Sequence, residues 1–123
     1  MTLFYIALGG SIGSVLRHLV TTQTSHLLGN SYPYGTMIVN ILGSLLMGLF
    51  IGYLVKTLPH SMEIRSFFAV GLLGGFTTFS AFSLDAVNMI ERGQMSSAAI
   101  YIALSVILSI VSLFLGLQII KNI

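Results

Sequence analysis

Between Gly71 and Ser83 the chain reads GLLGGFTTFSAFS: three glycines, two threonines, two serines and three phenylalanines in thirteen positions. This stretch lies inside a long apolar run that must cross a membrane. Lipid offers backbone groups no hydrogen bonds, so irregular backbone at that depth persists only where it is buried in protein or lines a watery path. Broken helices of this kind are where transporters and channels build their ion sites. The segment is therefore the candidate site.

Phe79 and Phe82 are three residues apart and so share a helical face after the Gly74-Gly75 pair. Phenylalanine in a span ordinarily faces lipid or core. Here the rings are flanked by the hydroxyls of Thr77, Thr78, Ser80 and Ser83. Aromatic ring edges carry partial positive charge, so a small anion can be met edge-on without a fixed cation that would hold it too tightly to leave.

Other polar residues fall within apolar runs. Asn40 lies in GTMIVNILG, Gly35 to Gly43; a buried asparagine ties helices together at about 1 kcal/mol, and its amide also offers two donors to an anion. Tyr101, Ser105 and Ser109 recur every fourth residue and line one helical face, with Ser112 close by. That stripe reads either as packing with back-bonds to carbonyls or as a ladder of donors along a pore. Arg17 beside His18 reads either as an interfacial anchor or as a funnel for anions. His18 and His26 read as interfacial residues and His60 as a loop residue. No acidic residue precedes Glu63, and Asp85 and Glu91 come late in the third apolar run; a proton-coupled exporter of organic cations would want a carboxylate at the midplane.

The elements that must position these groups follow from composition. Of 123 residues, 55% are hydrophobic and 7% charged, and the mean hydropathy is +0.99. Soluble domains carry about 25% charged residues, so the chain reads as an integral membrane protein. At roughly 20 residues per spanning helix it accommodates four spans, expected at about residues 3–22, 35–58, 63–92 and 95–120 of a single transmembrane domain. The apolar runs are continuous, unlike the alternation of a membrane β-barrel. The first run starts at Leu3 with no preceding basic residue, unlike a cleaved signal peptide. Gln23 to Pro33 reads as a polar loop with Gly29 and Pro33 as turn signals. The third span is too long for one straight crossing, and a break near residues 74–79 resolves the misfit.

Absences narrow the function further. Without cysteine there are no disulfides or thiolate metal sites. The net charge of +2 is scattered and forms no basic cluster, so nucleic-acid binding has no footing. Neither a Walker loop nor HExxH occurs. Lys56, Arg65 and Lys121 fall on one side of the membrane; Arg92, with Arg17 if it reaches the surface, falls on the other. This bias is small under the positive-inside rule, so the chain is expected to insert both ways, and an antiparallel homodimer becomes available to enclose a hydrated path. The small-residue faces Gly9/Gly10/Gly13 and Gly43/Gly48/Gly52 are expected to be helix-packing surfaces.

Three segments together resemble the CrcB/Fluc family of small fluoride channels: GGSIGSVLR from Gly9 to Arg17, GTMIVNILG from Gly35 to Gly43, and GGFTTFSAF from Gly74 to Phe82. The resemblance spans the whole chain, and the third segment is its most specific part. It implies an all-α fold of four transmembrane helices with a broken third helix, assembled as a dual-topology antiparallel homodimer with two pores. It implies that Phe79 and Phe82 are the paired rings of a fluoride path, that Asn40 donates to the ion, and that Ser80, Tyr101, Ser105 and Ser109 add polar contacts. Arg17 matches the family's basic residue near the pore entrance. A structural sodium ion at the dimer centre, held by the main-chain carbonyls of Gly74 and Thr77 from both subunits, is implied as well. Ala81 stands where threonine is common and Ser14 where alanine is common. The competing classes are a proton-coupled small multidrug exporter and a non-transporting membrane subunit. The missing early carboxylate and the lack of tryptophan argue against the exporter.

Overall fold

In the computed structural model, which describes residues 1–57 and 61–123, four helices are long and apolar enough to cross a membrane. They are α1 (Thr2–Leu28), α2 (Tyr34–Thr57), a third span from Met62 to Glu91, and a last helix, Met95–Lys121. The expected closure of the second span at Leu58 and Pro59, and the loop position of His60, lie outside the described residues.

Hydropathy locates the membrane, not the end of a helix, and α1 shows the difference. It runs past Thr22 to Leu28, so half of the expected loop is helical. Polar residues do not stop a helix when their side chains can return a bond to its carbonyls, as Thr24 Oγ1 does by donating to Val20 O at 2.7 Å. The stop comes at Gly29, whose φ of 81° is open to glycine and whose N–H closes on Ser25 O at 2.9 Å.

The third span is composite. A short α3 (Met62–Arg65) passes into wide π-type turns from Ser66 to Leu73 and then into one α-turn, α4 (Gly74–Phe76). Thr77 (φ −84°, ψ 160°) and Thr78 (φ −153°, ψ 121°) are extended before α5 (Phe79–Glu91) begins. Thr78 caps α5, its hydroxyl accepting from Ala81 N–H at 3.1 Å. At the other end Gly93 turns the chain with φ 79°, and α6 (Met95–Lys121) follows at once.

α2 packs chiefly along α6, and α1 along the first half of the third span. Both contacts are backbone-close. A Cβ on Gly13 would meet the backbone of Leu72 and Phe76, and one on Gly48 would meet the backbone of Leu113. Small residues allow such an approach in lipid, where packing rather than water exclusion holds helices together. α5 instead leans on α6 through a core of Phe82, Ala86, Met89, Ala98 and Tyr101, with Tyr32 and Met37 against it. Large apolar side chains on all four spans point outward, as expected of a molecule whose solvent is acyl chains.

Candidate ion-binding site

The extended pair Thr77-Thr78 leaves the backbone of the third span short of helical partners, and α2 supplies one. Asn40 Oδ1 accepts the Thr78 N–H at 2.7 Å, and Asn40 Nδ2 donates to Thr78 O at 3.0 Å. The asparagine thus pairs with both the N–H and the C=O of one residue, Thr78, in the two peptide groups that flank its Cα. A carboxamide carries two N–H donors, so one remains after the clamp. Asn40 is at once the tie between two spans and a donor at the start of α5.

A cavity of 290 Å³ opens beside this clamp. Asn40 and Ser44 of α2 form one wall, Thr77, Thr78, Phe79 and Phe82 a second, and Ser105, Val106, Ser109 and Ile110 of α6 the third. None of these residues is charged. The hydroxyls of Ser105 and Ser109 are buried and have no hydrogen-bond partner among the described residues. A buried donor left unmatched costs about 1–3 kcal/mol, so two on one wall mark a place where a ligand or water belongs. The N-terminus of α5, with its positive dipole end, faces the same space. The polar side chains on the cavity walls are hydroxyls and one carboxamide, neutral groups able to donate.

The two rings differ. Their centroids are 5.5 Å apart with planes inclined at 52°, but Phe82 is 7% exposed and Phe79 76%. Phe82 continues into Tyr101 at 5.3 Å, and Tyr101 into Tyr32 at 5.6 Å edge-on, giving a run of aromatic rings from the cavity to the loop before α2. There the Tyr101 hydroxyl donates to Asp85 Oδ2 at 3.1 Å. A second cavity of 190 Å³ lies at that end, with Asp85, Thr36, Tyr32, Asn30 and Ser25 on its walls. Burial, helped by neighbouring Tyr34, raises the Tyr32 phenol above its usual value, so it stays a neutral donor near pH 7.

The sequence-derived residues therefore separate. Asn40, Phe79, Phe82, Ser105, Ser109 and Thr77 share the cavity. Tyr101 is next to it through Phe82 but commits its hydroxyl to Asp85. Ser80 is exposed outside it, its hydroxyl 3.3 Å from that of Thr78. Arg17 does not line the cavity; its Nε donates to Gly75 O of α4 at 3.1 Å. Ser44 was missed by sequence reasoning; its signal was its place one turn beyond Asn40. The Asp85–Tyr101 pair was missed too, because no spacing rule joins residues on different helices.

Main-chain carbonyls at the end of α4 form a distinct donor set. The Thr78 N–H that would continue the helix onto Gly74 O is taken by Asn40, and the Ala81 N–H goes to the Thr78 hydroxyl rather than to Thr77 O. Gly74 O and Thr77 O are thereby released from helical bonding at the negative end of a helix. Uncharged oxygens so placed suit a hard cation, and Gly74 is exposed, so a site there is open to a second donor set from outside the chain.

A four-span bundle with an uncharged cavity lined by hydroxyls, an amide, aromatic rings and aliphatic side chains defines a small multi-pass membrane protein. Residues 4–117 match the family model described as CrcB-like protein, Camphor Resistance (CrcB). The chain belongs to this family and is a multi-pass bacterial membrane protein. It is 48% identical over 117 residues to the fluoride-specific ion channel FluC of Agrobacterium fabrum, covering 95% of this chain and 94% of that protein. The fluoride-specific ion channel FluC of Rhodopseudomonas palustris is 46% identical over 123 residues, 100% of this chain and 99% of its own length. That of Flavobacterium psychrophilum is 46% identical over 121 residues, 98% of each chain.

Proposed function

We propose that this chain is a passive fluoride-selective channel that lets fluoride leave the cytoplasm. The observation that carries the reading is the pair of buried, unmatched hydroxyls, Ser105 and Ser109, facing Asn40, Phe79 and Phe82 across an uncharged cavity. Fluoride is small and strongly hydrated, so a path for it must replace its water with close donors. Chloride gives up its water more readily and is wider, so a narrow cavity of donors favours fluoride. Ser44 adds one more hydroxyl on the α2 wall. The names of the relatives point to the same ion. Hydrogen fluoride crosses membranes as a neutral acid and ionises inside, so downhill exit of the anion needs neither ATP nor a coupled proton.

The same reading makes the working unit an antiparallel, dual-topology homodimer with two pores and takes the discontinuity at Thr77-Thr78 as the break around which it assembles. Its support is Phe79: a ring 76% exposed in one chain becomes a pore wall only if a second copy covers it. The sodium ion would be held by Gly74 O and Thr77 O of both copies, where its charge offsets the burial of anions nearby. The same reading keeps Arg17, whose Nε donates to Gly75 O, as the basic group near the path's entrance.

The test is efflux from liposomes loaded with potassium fluoride, followed with a fluoride electrode after valinomycin. Fast fluoride release with little chloride release, lost in Phe79→Ile, is the expected result. Folded protein that releases no fluoride would overturn the reading.

A further inference from the structure

A wholly different cavity lies on the outside of the bundle. It is a groove of 430 Å³ between α2, the first half of the third span and the end of α6. Leu46, Leu49, Phe50, Phe68 and Leu72 line it, and Tyr53 and Ile120 close one end. Its walls are apolar throughout, apart from the Tyr53 hydroxyl. Phe50 and Phe68 form its floor with ring centroids 5.4 Å apart.

The closed end is charged. Lys56 Nζ donates to Ile120 O at 2.8 Å, which holds an ammonium against a residue of the groove wall. Lys121 follows Ile120 directly, and Arg65 lies in the first helical turn after the short connection from α2, on the same membrane side. Glu63 is the one acidic residue beside them in sequence. Tyr53, half exposed, occupies the level at which amphipathic aromatic side chains meet headgroups.

Depth selects the occupant. Lys56 lies about 15 Å along α2 from Leu46 at 1.5 Å per residue. Half of a hydrocarbon core is roughly 15 Å as well, so the groove runs from headgroup level towards the midplane. The Lys56 ammonium at the headgroup end and the apolar walls below it match the two parts of an anionic phospholipid, a phosphate and an acyl chain. We infer that the groove holds one acyl chain of an anionic phospholipid whose phosphate is met by Lys56, with Arg65 and Lys121 adding to the field. The site is separate from the Asn40 cavity, so it stands or falls independently of fluoride conduction.

The experiment is native mass spectrometry of the detergent-purified full chain titrated with dioleoylphosphatidylglycerol or dioleoylphosphatidylcholine. The expected result is retention of phosphatidylglycerol over phosphatidylcholine, reduced about tenfold in Lys56→Gln and restored in Lys56→Arg. Leu46→Trp, which narrows the groove, should reduce both lipids while circular dichroism shows an unchanged helix content. Equal retention by wild type and Lys56→Gln would overturn the inference, as would equal retention of the two lipids. Disulfide trapping of Tyr53→Cys between two copies in lipid-free detergent would assign the groove to a second chain instead.

Discussion

Two polar regions of this molecule differ in what their polar atoms have left to do. The cavity beside the last turns of α1 is the larger, 490 Å³, and has His18, Thr21, Thr22, Ser25, His26 and Asn30 on its walls. Several of its polar side chains are engaged locally: Thr21 Oγ1 donates to the backbone carbonyl of His18 at 3.1 Å, Thr22 meets His18 Nε2 at 3.5 Å, and Ser25 donates to Asn30. The Asn40 cavity is smaller, 290 Å³. Yet it has the two buried hydroxyls without partners. Size and polarity describe where water can stand; unmatched donors describe where a ligand is wanted. The two regions also differ in depth. The first follows the membrane span of α1, where water satisfies whatever the protein does not, while the second lies where lipid satisfies nothing.

The sharpest way to break that contrast is at Asn40. Asn40→Ala strips the partners from both the N–H and the C=O of Thr78 and removes the spare amide donor. Each orphaned buried group costs about 1–3 kcal/mol, and fluoride efflux should fall by roughly a hundredfold or more, the rate equivalent of about 2.7 kcal/mol. Asn40→Asp is the informative companion. It keeps the acceptor for Thr78 N–H but loses the donor and adds a negative charge on an anion's route, so efflux should fall at least as far with a smaller loss of thermal stability. Near-normal efflux in either variant would show that α2 contributes scaffolding alone.

Ring substitutions come next. Phe82→Ile replaces a buried ring that touches both Phe79 and Tyr101 and should cut efflux by roughly thirtyfold, with some loss of stability. Phe79→Ile changes a side chain that one copy leaves exposed. It should cost a similar factor in efflux and leave the melting temperature within a few degrees. Equal destabilisation by both would reverse the assignment of Phe82 to core and Phe79 to a wall completed by a second copy.

Removing the unmatched hydroxyls separates function from stability most cleanly. Ser105→Ala with Ser109→Ala deletes donors that none of the described residues uses. Efflux should drop about tenfold, or about 1.4 kcal/mol, while the melting temperature stays level or rises, because an unsatisfied buried hydroxyl is itself a cost. A fall in stability without a change in efflux would make the stripe packing.

Particular residues show what was legible in the sequence. Four spans followed from continuous apolar runs, because lipid imposes length and composition on any helix that crosses it. The run from Gly71 to Ser83 stood out because hydroxyls and glycines are expensive there without a reason. The end of α1 was not legible: hydropathy falls at Thr22, but the helix persists to Gly29 on backbone bonds that polarity does not break. The partners of Arg17 and Tyr101 were not legible either. Arg17 bonds a carbonyl 58 positions away and Tyr101 a carboxylate 16 positions away on another helix. Spacing along one helix reports its faces; it says nothing of which other helix a face will meet.

The smallest effect expected is at the α1 cavity, and it completes the comparison. His18→Ala with His26→Ala removes the two titratable side chains from the larger, more polar space. His18 contributes one long contact to Thr22, and both histidines are exposed, so surface-level losses of under about 0.5 kcal/mol are expected. Fluoride efflux should stay within about twofold of wild type. A larger change would mean that ions pass over these imidazoles. The α1 cavity would then be an outer vestibule of the same path, and hydrogen-bond satisfaction would distinguish a waiting chamber from a binding step rather than a site from its surroundings.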